Sequence, residues 1–254
     1  MSRSRCLLPI VLLIGLLTAS LAANVWLWQR NQEYYYAMNH IRLDPLGLQS
    51  YANAPERATE QPTIVFFGDS RAQEWPAAPD MPELRFINRG IGAQTTAQVS
   101  GRYMQDVHPL NPKLIIIQVG INDLKTIALF PDQKNIIIAD CIATIKQIVY
   151  EAKNDGSRVV LTTIFPTRAP SLERRIYWSD EIAAAIREVN AAILAMQSEH
   201  VLVIDAAALL RDQQGLLRTD LSKDMLHLNA DGYALLNREL VKIIGSQMPF
   251  ISSR

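Results

Sequence analysis

Cysteine is nearly absent: Cys6 and Cys141 are the only two in 254 residues. One stands at the extreme N-terminus and the other within an apolar helical pattern, which excludes a disulfide framework. Neither sign of charge prevails, since 25 basic residues meet 25 acidic ones. No run of Lys or Arg exceeds a pair, so the electrostatic footprint of a nucleic-acid partner is missing. Glycine is sparse, and Gly90-x-Gly92 lacks the third glycine of a dinucleotide fingerprint. Histidine is scarce too. His40, His108 and His200 fall in a stem, at a helix end and on a surface before a strand, with no partner at a telling spacing, and only His227 has one.

What is present is apolar. With 49% hydrophobic residues the chain can build one domain of about 200 residues with a full core, and extras besides. One extra is the uncharged run from Leu7 to Trp28, long enough as a helix to cross a bilayer's hydrocarbon core. Arg3 and Arg5 before it favour a cytoplasmic N-terminus, and Trp26, Trp28 and Arg30 form an interfacial belt on the far side. The apolar length favours a retained anchor, while the small residues of Ser20-Leu21-Ala22-Ala23 keep a cleaved signal open. Both readings put the domain outside the cytoplasm. A lipoprotein does not fit, because Cys6 precedes the apolar run.

From Gln29 to Pro62 the chain turns polar and irregular, with Tyr34-Tyr35-Tyr36, Pro45, Gly47, Pro55 and Pro62. That composition predicts a stem with no sustained period, in which Leu43, Leu46 and Leu48 can dock. The expected organisation is residues 1–28 as membrane segment, 29–62 as stem and 63–248 as domain.

Within the domain, short β-branched runs at Thr63–Phe67, Leu84–Asn88, Leu114–Val119, Val159–Ile164 and Val201–Asp205 read as five strands buried on both faces. Helical patterns separate them at Thr95–Val107, Lys134–Lys153 and Asp180–Gln197, and a last one runs from Ala230 to Ile244. Such alternation predicts an α/β fold, a three-layer α/β/α sandwich around a five-stranded parallel sheet with right-handed crossovers.

Open parallel sheets bind ligands beyond the carboxyl ends of their strands. Four polar loops converge there: Gly68-Asp69-Ser70, Arg89-Gly90-Ile91-Gly92-Ala93-Gln94-Thr95, Gly120-Ile121-Asn122-Asp123, and the Asp224-x-x-His227 turn before the last helix. A serine hydroxyl needs a base to take its proton, and His227, oriented by Asp224, is the candidate. The oxyanion formed by attack needs donors aimed at it. The Ser70 N–H, an N–H of the glycine turn at Gly92 or Ala93, and the Asn122 amide are suited to that task. Each loop alone is an ordinary turn; Asp69 and Asp123 read as carboxylates that brace their loops.

The four blocks, in this order, resemble those of the SGNH, or GDSL, hydrolase superfamily over about Thr63 to Ile244. The resemblance implies a flavodoxin-like fold, hydrolysis of carboxylic esters, and neither metal nor organic cofactor. By position it implies Ser70 as nucleophile and oxyanion donor, Asn122 as oxyanion donor, His227 as base and Asp224 as its orienting acid. Ala93 stands where the family's oxyanion glycine is expected, with Gly92 just before it. Alanine supplies the same N–H, provided its backbone suits a residue with a Cβ. The Gly-x-Ser-x-Gly elbow of α/β-hydrolases fits less well, because Ala72 replaces its last glycine and acid and base lie three residues apart.

Two loops should set specificity. Leu124, Ile127, Leu129 and Phe130 can line an acyl pocket, which with a membrane segment points to lipid or lysophospholipid esters. Arg168, Arg174, Arg175, Tyr177 and Trp178 can receive a sugar or an anionic head group, which points instead to an O-acetylesterase of an envelope carbohydrate. A reading from another class is a membrane-tethered binding module on a hydrolase fold.

Overall fold

The structure is a computed structural model of the full chain and describes residues 4–52, 60–79 and 81–247. Arg3, Pro55, Met248 and the side chains of Arg5 and Cys6 lie outside the described residues. Two compact units divide at Pro45 and Leu46.

The first unit is one helix, α1 (Ser4–Leu43), of 40 residues. At 1.5 Å per residue it is about 60 Å long, more than a bilayer's hydrocarbon core requires. Its apolar part holds an 18-residue window of mean hydropathy 2.2 and is long and apolar enough to cross a membrane. The expectation of irregular chain from Gln29 onward is corrected here, since the helix continues through Tyr34-Tyr35-Tyr36 to Leu43. The reason is local. No Pro or Gly stands between Gln29 and Asp44, so each added residue extends a helix already nucleated by the apolar run. An Arg30–Glu33 pair at 2.6 Å supports that stretch. Pro45 and Gly47, the latter at φ 71°, follow its end.

The second unit carries the sandwich. Its elements are β1 (Thr63–Gly68), α2 (Ser70–Gln73), β2 (Arg85–Gly90), α3 (Thr96–Gly101), α4 (Tyr103–Asp106), β3 (Leu114–Gln118), α5 (Ile121–Leu124), α6 (Lys134–Asn154), β4 (Arg158–Thr162), α7 (Asp180–Leu194), β5 (Val201–Ile204), α8 (Ala206–Leu210) and α9 (Ala230–Gln247). The strands pair in parallel in the order β2-β1-β3-β4-β5. In this order the chain reverses direction across the sheet between β1 and β3, and the crevice beyond their carboxyl ends is the place for a ligand. Ser70 begins the helix after β1 and Asn122 lies in the one after β3.

Alternation along the strands splits the core into two layers. Val65, Phe67, Ile115, Ile117, Val159 and Leu161 face Cys141, Ile145 and Ile148 of α6 and Ile182, Val189 and Ile193 of α7. Ile64, Phe66, Leu114, Ile116 and Val160 face Trp75, Phe165, and Leu236, Leu240 and Ile244 of α9. Burying each such side chain contributes about 1.5–3 kcal/mol. The sheet is thereby a rigid platform for its loops. Gly68 closes the centre of it: at φ 153° a Cβ would meet the Gln118 carbonyl oxygen at 1.8 Å, so only glycine lets β1 end so near β3.

The helix expected over Thr95–Val107 is broken into α3 and α4 at Arg102. Arg102 turns inward, where its guanidinium donates to the Gly68 carbonyl at 2.9 Å and to Gln94 Oε1 at 2.6 Å, and pairs with Asp106 at 3.1 Å. It also lies 4.6 Å from the Phe67 ring centre. A buried cation with every one of these partners outweighs one continuous turn of helix.

Candidate active site

The four loops meet at the carboxyl edge of the sheet. Ser70 is the first residue of α2, whose N-cap is Asp69; Asp69 Oδ1 accepts the Arg71 N–H at 2.9 Å, as a bracing carboxylate should. Asp123 braces likewise, accepting the Thr96 N–H at 2.9 Å and the Thr96 hydroxyl at 2.6 Å. Burial pushes the Asp69 carboxyl up to about 6, against the pull of the Arg71 guanidinium and N–H.

The turn carrying Asp224 and His227 explains itself from its spacing. Asp224 Oδ1 accepts the N–H groups of Leu226 at 2.7 Å and His227 at 2.8 Å, and the Lys223 N–H closes the turn on the His227 carbonyl at 2.9 Å. The second carboxylate oxygen is left to meet His227 Nδ1 at 2.8 Å. The other ring nitrogen, Nε2, lies 2.9 Å from Ser70 Oγ. A hydroxyl, an imidazole and a carboxylate thus form one hydrogen-bonded chain. Partial burial raises the Asp224 carboxyl, but the Leu226 N–H, the His227 ring and the His227 N–H outweigh it and hold it down to about 2. A carboxylate so held is charged at every pH at which an imidazole can act as base, and it fixes the ring with Nε2 towards the hydroxyl.

Arg71, which sequence reasoning did not single out, couples this turn to the serine. Fully buried, it donates from Nε to the Leu226 carbonyl at 3.0 Å and from Nη1 to the Phe165 carbonyl at 3.2 Å. The Tyr233 hydroxyl of α9 donates to the Arg71 carbonyl at 2.9 Å. Gly-Asp-Ser gives no hint of this, because a buried arginine has no signature in a linear sequence.

Of the residues expected as oxyanion donors, Gly92 lies beside Ser70, and Asn122 is bonded to the same turn through the Gln94 carbonyl. A Cβ on Gly92 would stand 3.9 Å from the Ser70 Cβ, so the glycine turn lies against the serine. Among the described residues the N–H groups of Ser70, Gly92 and Ala93 have no protein acceptor. Ala93 sits at φ 63°, in the left-handed region. Its methyl is therefore accommodated at a cost of about 1–2 kcal/mol, and the turn keeps the backbone that glycine would adopt freely. Asn122 is buried, donates to the Gln94 carbonyl at 2.9 Å and accepts from Lys125 Nζ at 2.7 Å. A lysine ammonium only donates, so this contact fixes the amide with its oxygen on Lys125 and its NH2 on the glycine turn, one hydrogen to spare. Lys125 was missed in the sequence, although its spacing from Asn122 on a helical turn is the signal that finds it.

Gln94 is the hub of the loop. Besides receiving Asn122 and Arg102, it donates from Nε2 to the Leu46 carbonyl at 2.7 Å. The Tyr51 hydroxyl donates to the Gly90 carbonyl at 2.6 Å, Gln105 donates to the Leu48 carbonyl at 3.0 Å, and Arg89 lies 4.6 Å from the Tyr51 ring centre. Leu46 packs over Gly101, where a Cβ would approach it to 2.8 Å. Residues 46–51 are thus a strap across the back of the loop, with Leu46 and Leu48 half-buried as expected.

A cleft of about 310 Å³ is lined by Lys125, Leu129, Arg174, Tyr177 and Trp178, and by Met225 and Leu226 of the Asp224–His227 turn. Leu124 and Ile127, expected at an acyl pocket, are instead sealed in the core at 0% and 1% exposure; Leu129 and Phe130 stay half exposed. Arg168 and Arg175 do not line the cleft.

Residues 63–235 match the GDSL-like lipase/acylhydrolase family. An acetylxylan esterase of Geobacillus stearothermophilus is 24% identical over 168 residues, covering 65% of this chain and 74% of that protein. Among solved structures, a GDSL-like lipase from Bacteroides thetaiotaomicron superposes with a TM-score of 0.64 at 21% identity, over 80% of this chain and 99% of its own. A crystal structure of an acetylxylan esterase from Geobacillus stearothermophilus gives a TM-score of 0.55 at 21% identity, over 74% and 95%. The superpositions bear out the five-stranded parallel sandwich, and the family match spans well over half the chain. This protein therefore belongs to the GDSL-like lipase/acylhydrolase family and is an SGNH-type ester hydrolase.

Proposed function

We propose that the chain is a serine esterase working through an acyl-enzyme, with Ser70 as nucleophile, His227 as general base and acid, and Asp224 as the acid that orients it. The observation that carries this reading is the unbroken chain of contacts at 2.9 Å and 2.8 Å from Ser70 Oγ through His227 to Asp224. Ser70 Oγ attacks the ester carbonyl as Nε2 takes its proton. The resulting oxyanion is met by the N–H groups of Ser70 and of Gly92 or Ala93 and by the free hydrogen of the Asn122 amide. Collapse of the intermediate expels the alcohol, which His227 protonates; a water then repeats the cycle on the acyl-enzyme.

The favoured substrate is a small acyl ester of a carbohydrate. Its support is the size of the cleft, the aromatic faces of Tyr177 and Trp178, the packing of Leu124 and Ile127 into the core, and the acetylxylan esterase relative. Lipid esters are a second reading, favoured by the apolar helix and by the exposure of Phe130, Leu172 and Ile176. Hydrolysis of p-nitrophenyl acetate against a long-chain p-nitrophenyl ester separates them: the first reading expects acetate to be strongly preferred, and a long-chain preference sinks it.

In this reading α1 is a membrane anchor, and Arg3 and Arg5 keep its start in the cytoplasm, so that the esterase works on the far side. Protease protection in sealed cells checks the topology.

Asn122→Ala is expected to lower kcat about 100- to 1000-fold with little change in KM, since the lost donor acts on the charge that develops in the transition state. A fall in KM-dependent binding alone would remove Asn122 from the oxyanion hole. The pH profile gives an independent check. Only neutral imidazole accepts the serine proton, so kcat/KM should climb from acidic to neutral pH; Asp224, held down at about 2, is already charged throughout that climb and does not shape it. A flat profile over the same range would count against His227 as base.

A further inference from the structure

The cleft against the Asp224–His227 turn carries two cations, Lys125 and Arg174, among its lining residues and no Asp or Glu. Among the described residues neither cation has a carboxylate within ion-pair distance; the partner of Lys125 Nζ is the neutral amide oxygen of Asn122, at 2.7 Å. Burial draws the Lys125 ammonium below its ordinary range, with Asp69 opposing this and Arg71 and Arg174 adding to it. Lys125 is half-buried and Arg174 exposed, so the two like charges repel each other through partly screening surroundings, and a bound anion would relieve that repulsion.

The surroundings narrow the anion. Tyr177 and Trp178 offer flat faces of the kind sugar rings stack on, and about 310 Å³ suits one ring with its substituents. Met225 and Leu226 come from the turn that ends in His227, and Lys125 holds Asn122, so the cleft adjoins both the base and the amide expected in the oxyanion hole. Two cations and two aromatic residues suit a polar sugar better than an acyl chain, so the cleft is assigned to the alcohol half of the ester. Leu124 and Ile127, packed into the core, give a long acyl chain no wall to lie on.

Resting on the esterase reading, we propose that the alcohol half of the substrate is a sugar carrying a carboxylate, a uronate or similar acidic residue, whose charge is received by Lys125 and Arg174. The guanidinium suits a carboxylate because its planar fork can take both oxygens at once.

The experiment uses the full chain in detergent and compares an O-acetylated oligouronate, an acetylated neutral xylooligosaccharide of equal length, a lysophospholipid and p-nitrophenyl acetate. The acidic oligosaccharide should be preferred over the neutral one about tenfold in kcat/KM, mostly through KM, and high salt should erode the preference. Arg174→Glu should abolish or reverse that ratio. Equal use of the two oligosaccharides, or a ratio that survives both salt and Arg174→Glu, overturns the acidic sugar while leaving the esterase standing. A preference for the lysophospholipid overturns it in favour of a lipid head group. Inertness towards all four, p-nitrophenyl acetate included, is the distinct failure of the esterase reading itself.

Discussion

Replacing Ser70 by alanine is expected to cut kcat on p-nitrophenyl acetate about a million-fold, to the small residue that an oxyanion hole and binding supply without a nucleophile. The loss should be purely chemical. Among the described residues the Ser70 hydroxyl hydrogen-bonds only His227 Nε2, at 2.9 Å, and its backbone continues to serve α2 whatever the side chain. The variant should therefore melt with the parent and still bind substrate with a similar KM. Retention of more than a hundredth of the parent rate would remove Ser70 from the role of nucleophile. An unchanged melting temperature is the control that keeps a fold defect from passing as a catalytic one.

Asp224→Asn should cost about ten-thousandfold in kcat, and the turn explains why so slight a change does so much. Oδ1 already accepts two backbone N–H groups, at 2.7 Å and 2.8 Å, so the new amide must keep its oxygen there. Its NH2 then faces His227 Nδ1, where a carboxylate oxygen had accepted. Two donors cannot face each other, so the imidazole proton moves to Nε2, and the nitrogen that should accept from Ser70 no longer can. Geometry survives while the tautomer is wrong. A variant that keeps a tenth or more of the parent kcat at neutral pH would show that the carboxylate does not set the tautomer.

These chemical groups were legible in the sequence because each depends on short spacing. An apolar run ending in Gly68-Asp69-Ser70 announces a strand that stops at a turn, and Asp224 three residues before His227 lets one carboxylate oxygen hold the turn and the other the ring. The five parallel strands followed from the alternation of strands with helices, since buried parallel strands read as continuous apolar runs, whereas their order β2-β1-β3-β4-β5 is set by the crossovers and not by any local pattern. What stayed hidden depends on long-range packing. No local pattern shows that Arg71 and Arg102 turn into the interior, because each is justified by carbonyls far along the chain: Leu226 and Phe165 for the first, Gly68 for the second. The acyl-lining role expected for Leu124 and Ile127 failed for the same reason, as periodicity cannot tell a cleft wall from the core beneath it. The helical stretch through Tyr34 to Leu43 was hidden differently. Its apolar positions Tyr34, Ala37, Met38 and Ile41 recur at helical spacing over only two turns, too short a run to announce a helix by itself, and the helix before it carries it on.

The Leu46–Tyr51 strap decides where this enzyme can be separated from its apolar helix. A version begun at Thr63 would leave Gln94 without the Leu46 carbonyl and Gly90 without the Tyr51 hydroxyl, and the loop opposite Ser70 would be unclasped. A cut near Ala22, as a signal protease would make, lies well upstream of the strap. Anchored or released, the molecule would carry the same closed loop, and processing would change its address without touching its chemistry.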